Sequence, residues 1–148
     1  MIGLLQRVTE ASVEVEGERI ATIGAGLLVL ACVERDDTTV QAERMAERIV
    51  GYRVFGDAGG RLNLGLGDTG GGLLLVPQFT LAADTRKGMR PGLGRAAAPE
   101  LGRALFGHLV EAARRRHDVV QCGRFGAHMR VGLVNDGPAT FWLETRAS

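Results

Sequence analysis

The chain is poor in several things at once, and each shortage closes off a class of protein. Only two of its 148 residues are cysteine, Cys32 and Cys122, and they lie far apart in sequence. That count supports neither a disulfide framework nor a cysteine-based metal site, and fits buried reduced thiols. Aromatic residues make up 5% of the chain, and the net charge is only +1, so the overall charge does not announce a nucleic-acid binder. Lys87 is the only lysine; every other cation is arginine, the side chain best shaped for phosphate. No apolar run approaches the length of a membrane span. The opening residues, MIGLLQRV, lack the basic start and small-residue cleavage site of a signal peptide. A cytoplasmic protein without membrane attachment is expected.

What is present reads as one α/β domain over residues 1–148. Apolar content of 45% and charged content of 24% are ordinary for a globular protein, and the length is enough for a sizeable core. Strands are expected at 2–8, 12–16, 19–23, 27–33, 54–55, 73–76, 119–123, 128–134 and 139–144. Asp36 or Asp37 offers the N-cap of a helix running to about Tyr52, with Ala42, Met45, Ala46, Ile49 and Val50 on its apolar side. Pro99 suits the first turn of a second helix, whose stripe is Leu101, Leu105, Leu109 and Ala113. Residues 56–72 are glycine-rich and include a literal GxGxxG at Gly65–Gly70. The dinucleotide fingerprint needs a strand before it and a helix after it. A buried strand follows instead, so a mobile surface loop is expected.

The stretch LLLVPQFTLAAD, Leu73–Asp84, carries the most information. Its first four residues read as a strand buried on both faces. Pro77 cannot donate to a sheet ladder, so pairing should stop or bulge there. Gln78, Phe79 and Thr80 then put an amide, a flat apolar face and a hydroxyl at the strand's end. Taken alone this reads as an ordinary strand end. A second stretch, Asn135-Asp136-Gly137-Pro138-Ala139-Thr140, changes the balance.

Together the Gln-Phe-Thr-Leu strand end and the Asn-x-Gly-Pro-x-Thr turn resemble the two signature motifs of the D-aminoacyl-tRNA deacylases of bacterial type. Leu5-Gln6-Arg7-Val8, Ala82–Thr85 with Gly88–Pro91, and Phe125–Met129 fall where that family has similar residues, so the resemblance spans the whole chain. It departs at Pro77, where the family usually has serine. A related animal branch, which edits a differently mischarged tRNA, has proline there but alanine in place of Phe79.

The resemblance implies a three-layer β/β/α fold: two sheets, with two helices on one side. It implies a homodimer whose active site is built across the two subunits, and tRNA as partner. The implied reaction is hydrolysis of the ester joining a D-amino acid, or a glycine mischarged on tRNA(Ala), to the terminal adenosine. Gln78, Phe79 and Thr80 become the catalytic residues. Arg7, Phe125, Met129, Asn135, Gly137, Pro138 and Thr140 become substrate-binding or supporting residues. The Gly137–Pro138 bond is expected to be cis, on a loop inserted into the partner's pocket. Thr80 has the position of a proposed nucleophile, but a threonine hydroxyl needs an activating base and none is evident, so positioning is the preferred role.

No metal or cofactor is expected. His108, His117 and His128 stand outside any catalytic motif, and no Ser-His-Asp order or metal spacing is visible. Of two basic clusters, Arg86-Lys87-Arg90 lies just past the strand end, where it could meet a tRNA end. Arg114-Arg115-Arg116 closes the second helix and reads as structural. Two further readings stay open: animal-type editing of an L-aminoacyl-tRNA, and a nucleic-acid-binding module of the same fold without turnover.

Overall fold

The computed structural model describes residues 1–146. Its organising element is β1 (Ile2–Val15), a single 14-residue strand where two shorter ones were expected. Along one edge it pairs antiparallel with β3 (Gly26–Cys32) through Ile2–Val8, then with β2 (Glu18–Ile23) through Ala11–Val15. Along the other edge it pairs with β8 (Arg130–Glu144). Parallel pairing extends the sheet from β3 to β6 (Gly72–Pro77) and then to β7 (Val120–Cys122). The two sheets that the resemblance implies are here one mixed six-stranded sheet, bent back on itself along β1. The Thr22 amide donates to Gln121 Oε1 at 2.8 Å, so β2 comes round to β7 and the sheet nearly closes.

That curvature gives two cores. Inside the curl lie Val8, Val13, Ile23, Leu28, Leu74 and Val76. On the outer face Leu5, Leu27, Val29, Leu73 and Leu75 meet the helices α1 (Thr39–Gly51) and α3 (Pro99–Arg116) through Met45, Ile49, Leu105 and Leu109. Leu27–Val29 and Leu73–Val76 alternate between the two cores, so both strands are apolar throughout rather than every second residue. Each fully buried leucine contributes about 1.5–3 kcal/mol. No helix among the described residues is long and apolar enough to cross a membrane.

Several local expectations need correcting. The N-cap of α1 is Thr38, whose hydroxyl accepts from the Val40 amide, while Gln41 Oε1 accepts from the Thr38 amide. Asp37 is occupied elsewhere: it and Glu34 hold the buried amino terminus of Met1, at 2.8 and 3.1 Å. The glycine-rich segment carries regular structure. It forms a small hairpin, β4 (Phe55–Gly56) with β5 (Leu62–Leu64), and a helical turn, α2 (Leu66–Thr69), pinned by the fully buried Leu66. Trp142 is 49% exposed, its indole N–H donating to Glu144. The arginines closing α3 are structural: Arg114 pairs with Glu111, and Arg115 and Arg116 pair with Glu43 of α1, which His108 also meets.

Candidate active site

The polar strand end is built by a change of hydrogen-bonding partner. Pro77 is the last residue of β6 in register with β3, opposite Ala31. The Gln78 amide makes one more bond, to the Ala31 carbonyl at 2.8 Å, and the chain then turns into a short 3-10 helix, Phe79–Ala82. Within that turn Leu81 donates to the Gln78 carbonyl and Ala83 to the Thr80 carbonyl. The amides of Phe79 and Thr80 open the turn and have no backbone partner among the described residues, as the first N–H groups of any helix do not. Both residues are exposed, and Phe79 presents 57% of its surface, so its ring faces solvent rather than core. The Gln78 side-chain amide donates to the Thr80 hydroxyl. Below the turn the buried Cys32 Sγ donates to the Phe79 carbonyl at 3.5 Å. Burial, helped by the Glu34 charge, pushes that thiol up to about 11, so it stays protonated.

Of two expected supporting residues, one flanks this end. Met129 packs against Gly123: a Cβ added at Gly123 would lie 2.8 Å from the Met129 sulfur and 3.5 Å from the Pro77 ring. Glycine there is what lets methionine and proline close over β7. Phe125 faces α3 instead, packing on Phe106, with the Arg103 guanidinium above its ring and Gly102 so near that an added Cβ would lie 3.0 Å from it. Its contacts are those of a support for the helix.

The second motif is a bulge, not a turn between two strands. Gln6 pairs with Thr140 and Val8 with Asn135, so a single residue of β1, Arg7, stands opposite four residues of β8, Asp136–Ala139. The excess chain is pushed out as a short loop. Asn135 and Thr140 clamp its base: Asn135 Nδ2 donates to the Thr140 hydroxyl, and the Ala139 amide donates to Asn135 Oδ1, both at 2.9 Å. Arg7 fixes its side, with Nε donating to the Asp136 carbonyl at 2.9 Å and Nη1 to the Val54 carbonyl at 2.8 Å. The Gly137–Pro138 peptide bond is cis. Gly137 has φ +139°, and a Cβ there would lie 2.9 Å from Arg7 Nη2. Asp136, Gly137 and Pro138 are exposed.

So the structure gathers Arg7, Asn135, Gly137, Pro138 and Thr140 at one place, and Gln78, Phe79, Thr80 and Met129 at another. No hydrogen bond among the described residues joins the two groups within the chain. Along the sheet they are separated by the four residue steps from Gly3 to Arg7, about 13 Å, and by three strand spacings, about 14 Å. The anchor that sequence reasoning missed is the Val54 carbonyl, which bears no side-chain signal. Among the described residues no group of three or more His, Cys, Asp or Glu side chains is placed to hold a metal ion.

Comparison with known proteins gives these two sites a context. The family described as D-Tyr-tRNA(Tyr) deacylase matches residues 4–144. A D-aminoacyl-tRNA deacylase of Thioalkalivibrio sulfidiphilus is 65% identical over 144 residues, covering 97% of each chain. One from Methylococcus capsulatus is 61% identical over 143 residues, covering 97% of this chain and 94% of the relative. Among solved structures, a c-Myc DNA Unwinding Element Binding Protein superposes with a TM-score of 0.94 at 37% identity, over 99% of this chain and 100% of that one. A probable eukaryotic D-amino acid tRNA deacylase shares the fold, with a TM-score of 0.83 at 17% identity over 97% of this chain and 98% of the other.

Proposed function

The chain belongs to the D-Tyr-tRNA(Tyr) deacylase family, and on that footing we propose how its two motifs divide the work of a chiral proofreading hydrolase. The enzyme is a D-aminoacyl-tRNA deacylase. Its substrate ester is already activated by the neighbouring ribose hydroxyl. The protein's task is to hold the acyl carbonyl, admit water and stabilise the oxyanion. The observation that carries this reading is the exposed turn at Phe79–Thr80, which presents two unpartnered N–H groups with the Gln78 amide and Thr80 hydroxyl beside them. Donors of this kind are worth about a hundredfold to a thousandfold each in turnover. No carboxylate or imidazole bonds the Thr80 hydroxyl among the described residues, so Thr80 positions and water attacks.

Discrimination is assigned to the Asp136–Ala139 loop. The side chains of D-substrates differ among themselves, while the inverted centre does not. A backbone surface that binds the α-amino group and leaves no room for an L side chain fits that requirement, and glycine at 137 lets a ligand approach closely. Because loop and turn lie apart within one chain, the active site is assembled across a homodimer, the loop of one subunit facing the Phe79 turn of the other. Glycine mischarged on tRNA(Ala) is cleaved too, having no side chain to reject. The enzyme works in the cytoplasm on the aminoacylated 3′ end, with no cofactor. Single-turnover hydrolysis of D-Tyr-tRNA by the purified protein tests the activity.

A second reading has one observation behind it. The 37% identical structure is, by name, a DNA-binding protein, which favours nucleic-acid binding by this fold. Tight tRNA binding with no release of amino acid would select it. Pro77 invites comparison with the animal branch, but Phe79, which that branch lacks, argues for the bacterial chemistry.

A further inference from the structure

The loop that follows the Phe79 turn has a stiff base and a basic tip. Asp84 and Gly92 exchange two backbone hydrogen bonds, at 2.7 and 2.9 Å, closing residues 85–91 into a small projection. Asp84 also binds Arg86 through both carboxylate oxygens, at 2.9 and 2.7 Å, and accepts from the Arg86 amide at 3.1 Å. That pairing neutralises one charge and braces the loop. Lys87 and Arg90 are left with no ion pair or hydrogen bond among the described residues. Met89 between them is 99% exposed. The side chains of Asp84, Arg86, Lys87 and Arg90, with Gly92, line an open cleft of about 490 Å³.

On a chain of net charge +1, Lys87 and Arg90 put two cations without an ion pair among the described residues, three residues apart, on the loop that follows the Phe79 turn. Chain length limits how far away the base of the loop sits: the four residue steps from Thr80 to Asp84 span at most about 14 Å. An ester held at Phe79–Thr80 therefore puts the phosphates of the nucleotides just behind the terminal adenosine within reach of the loop.

We infer that the Asp84–Gly92 loop is a phosphate clamp for the single-stranded 3′ end of the tRNA. Lys87 and Arg90 contact the backbone, and the Asp84–Arg86 pair holds them in place. This rests on the deacylase reading and adds to it where affinity for RNA comes from. The contact is electrostatic and carries no base preference. Arg86, already paired, contributes less than its two neighbours.

The test compares wild type, Lys87→Ala/Arg90→Ala and Arg114→Ala on two substrates, D-Tyr-tRNA and the D-tyrosyl ester of adenosine, which lacks the upstream phosphates. The double variant is expected to raise KM for D-Tyr-tRNA about tenfold at low salt and to leave the adenosine ester unchanged. Its salt slope for binding uncharged tRNA should fall by about 1.4, at about 0.7 per phosphate on a single strand. Arg114→Ala should match wild type throughout. Equal losses on both substrates, or no loss on tRNA, would overturn the clamp. So would a shift in sedimentation showing that the loop joins two copies of the chain. If wild type cleaves neither substrate, the deacylase reading fails, and the binding slope alone then decides the clamp.

Discussion

Arg7 and Asp136 are joined across the sheet by a 2.9 Å hydrogen bond from guanidinium Nε to main-chain carbonyl, at the one place where β8 has four residues to the single residue of β1. The half-buried arginine thus does the pairing that the ladder gives up, and its second bond, to Val54, ties the bulge to the residue just before the β4–β5 hairpin. Arg7→Ala should leave the fold intact and slow D-Tyr-tRNA hydrolysis about a hundredfold, the cost of misplacing a substrate-facing loop by an ångström or so. Gly137→Ala should be worse, because its Cβ would meet Arg7 at 2.9 Å from a backbone conformation that side chains rarely adopt. Rates measured beside circular dichroism separate the loss of activity from unfolding.

Thr80→Ala removes the hydroxyl that Gln78 meets and keeps the backbone N–H groups of the turn. Hydrolysis should fall about tenfold to a thousandfold, the range for one lost stabilising contact. Intact-mass analysis of wild type quenched during turnover should find no acyl-enzyme. Acyl adduct at Thr80 would make it the nucleophile.

Turnover should persist in chelator, since no cluster of ligand side chains stands near the Phe79 turn among the described residues. Activity that disappears with chelator and returns with zinc would contradict the water-and-backbone mechanism.

The Glu34 cluster sets an acid limit on stability. Burial alone would raise its carboxyl, but bonding to the Met1 amino terminus, and then to Arg146, outweighs burial and holds it below the ordinary value of 4.5. A depressed folded value means stabilisation that is fully present above that ordinary value and lost as pH falls through the folded one. Glu34→Ala takes one carboxylate from the buried ammonium, which keeps Asp37 and the Thr145 carbonyl, and should cost about 1–3 kcal/mol at neutral pH. It should also flatten the decline in stability below the ordinary carboxyl value of 4.5. Denaturant titrations from neutral pH down to about pH 3 read both effects.

How much was legible in the sequence depended on where the information resides. The two helices and most strands could be read because periodicity and apolar runs are local, as at Leu73–Val76 and Met45–Ile49. The single bent β1 could not, because its neighbour changes from β3 to β2 near Thr9, which is a fact about pairing and not about composition. The glycine-rich segment was misjudged for a related reason: one buried side chain, Leu66, pins a stretch whose composition suggests a free loop. The N-cap moved to Thr38 because Asp37 is claimed by a terminus 36 residues away. At the site, Gln78–Thr80 and the Asn135–Thr140 frame were visible as motifs. The Val54 carbonyl and the unpaired state of Lys87 and Arg90 among the described residues emerge only from three-dimensional bonding.

The most direct test of the central claim is a side-by-side measurement of D-Tyr-tRNA, glycyl-tRNA(Ala) and L-Tyr-tRNA hydrolysis by the same enzyme preparation. Backbone discrimination predicts release of D-tyrosine and glycine and survival of L-Tyr-tRNA at the rate of the uncatalysed control. Cleavage of L-Tyr-tRNA at a rate comparable to the D-substrate would contradict it.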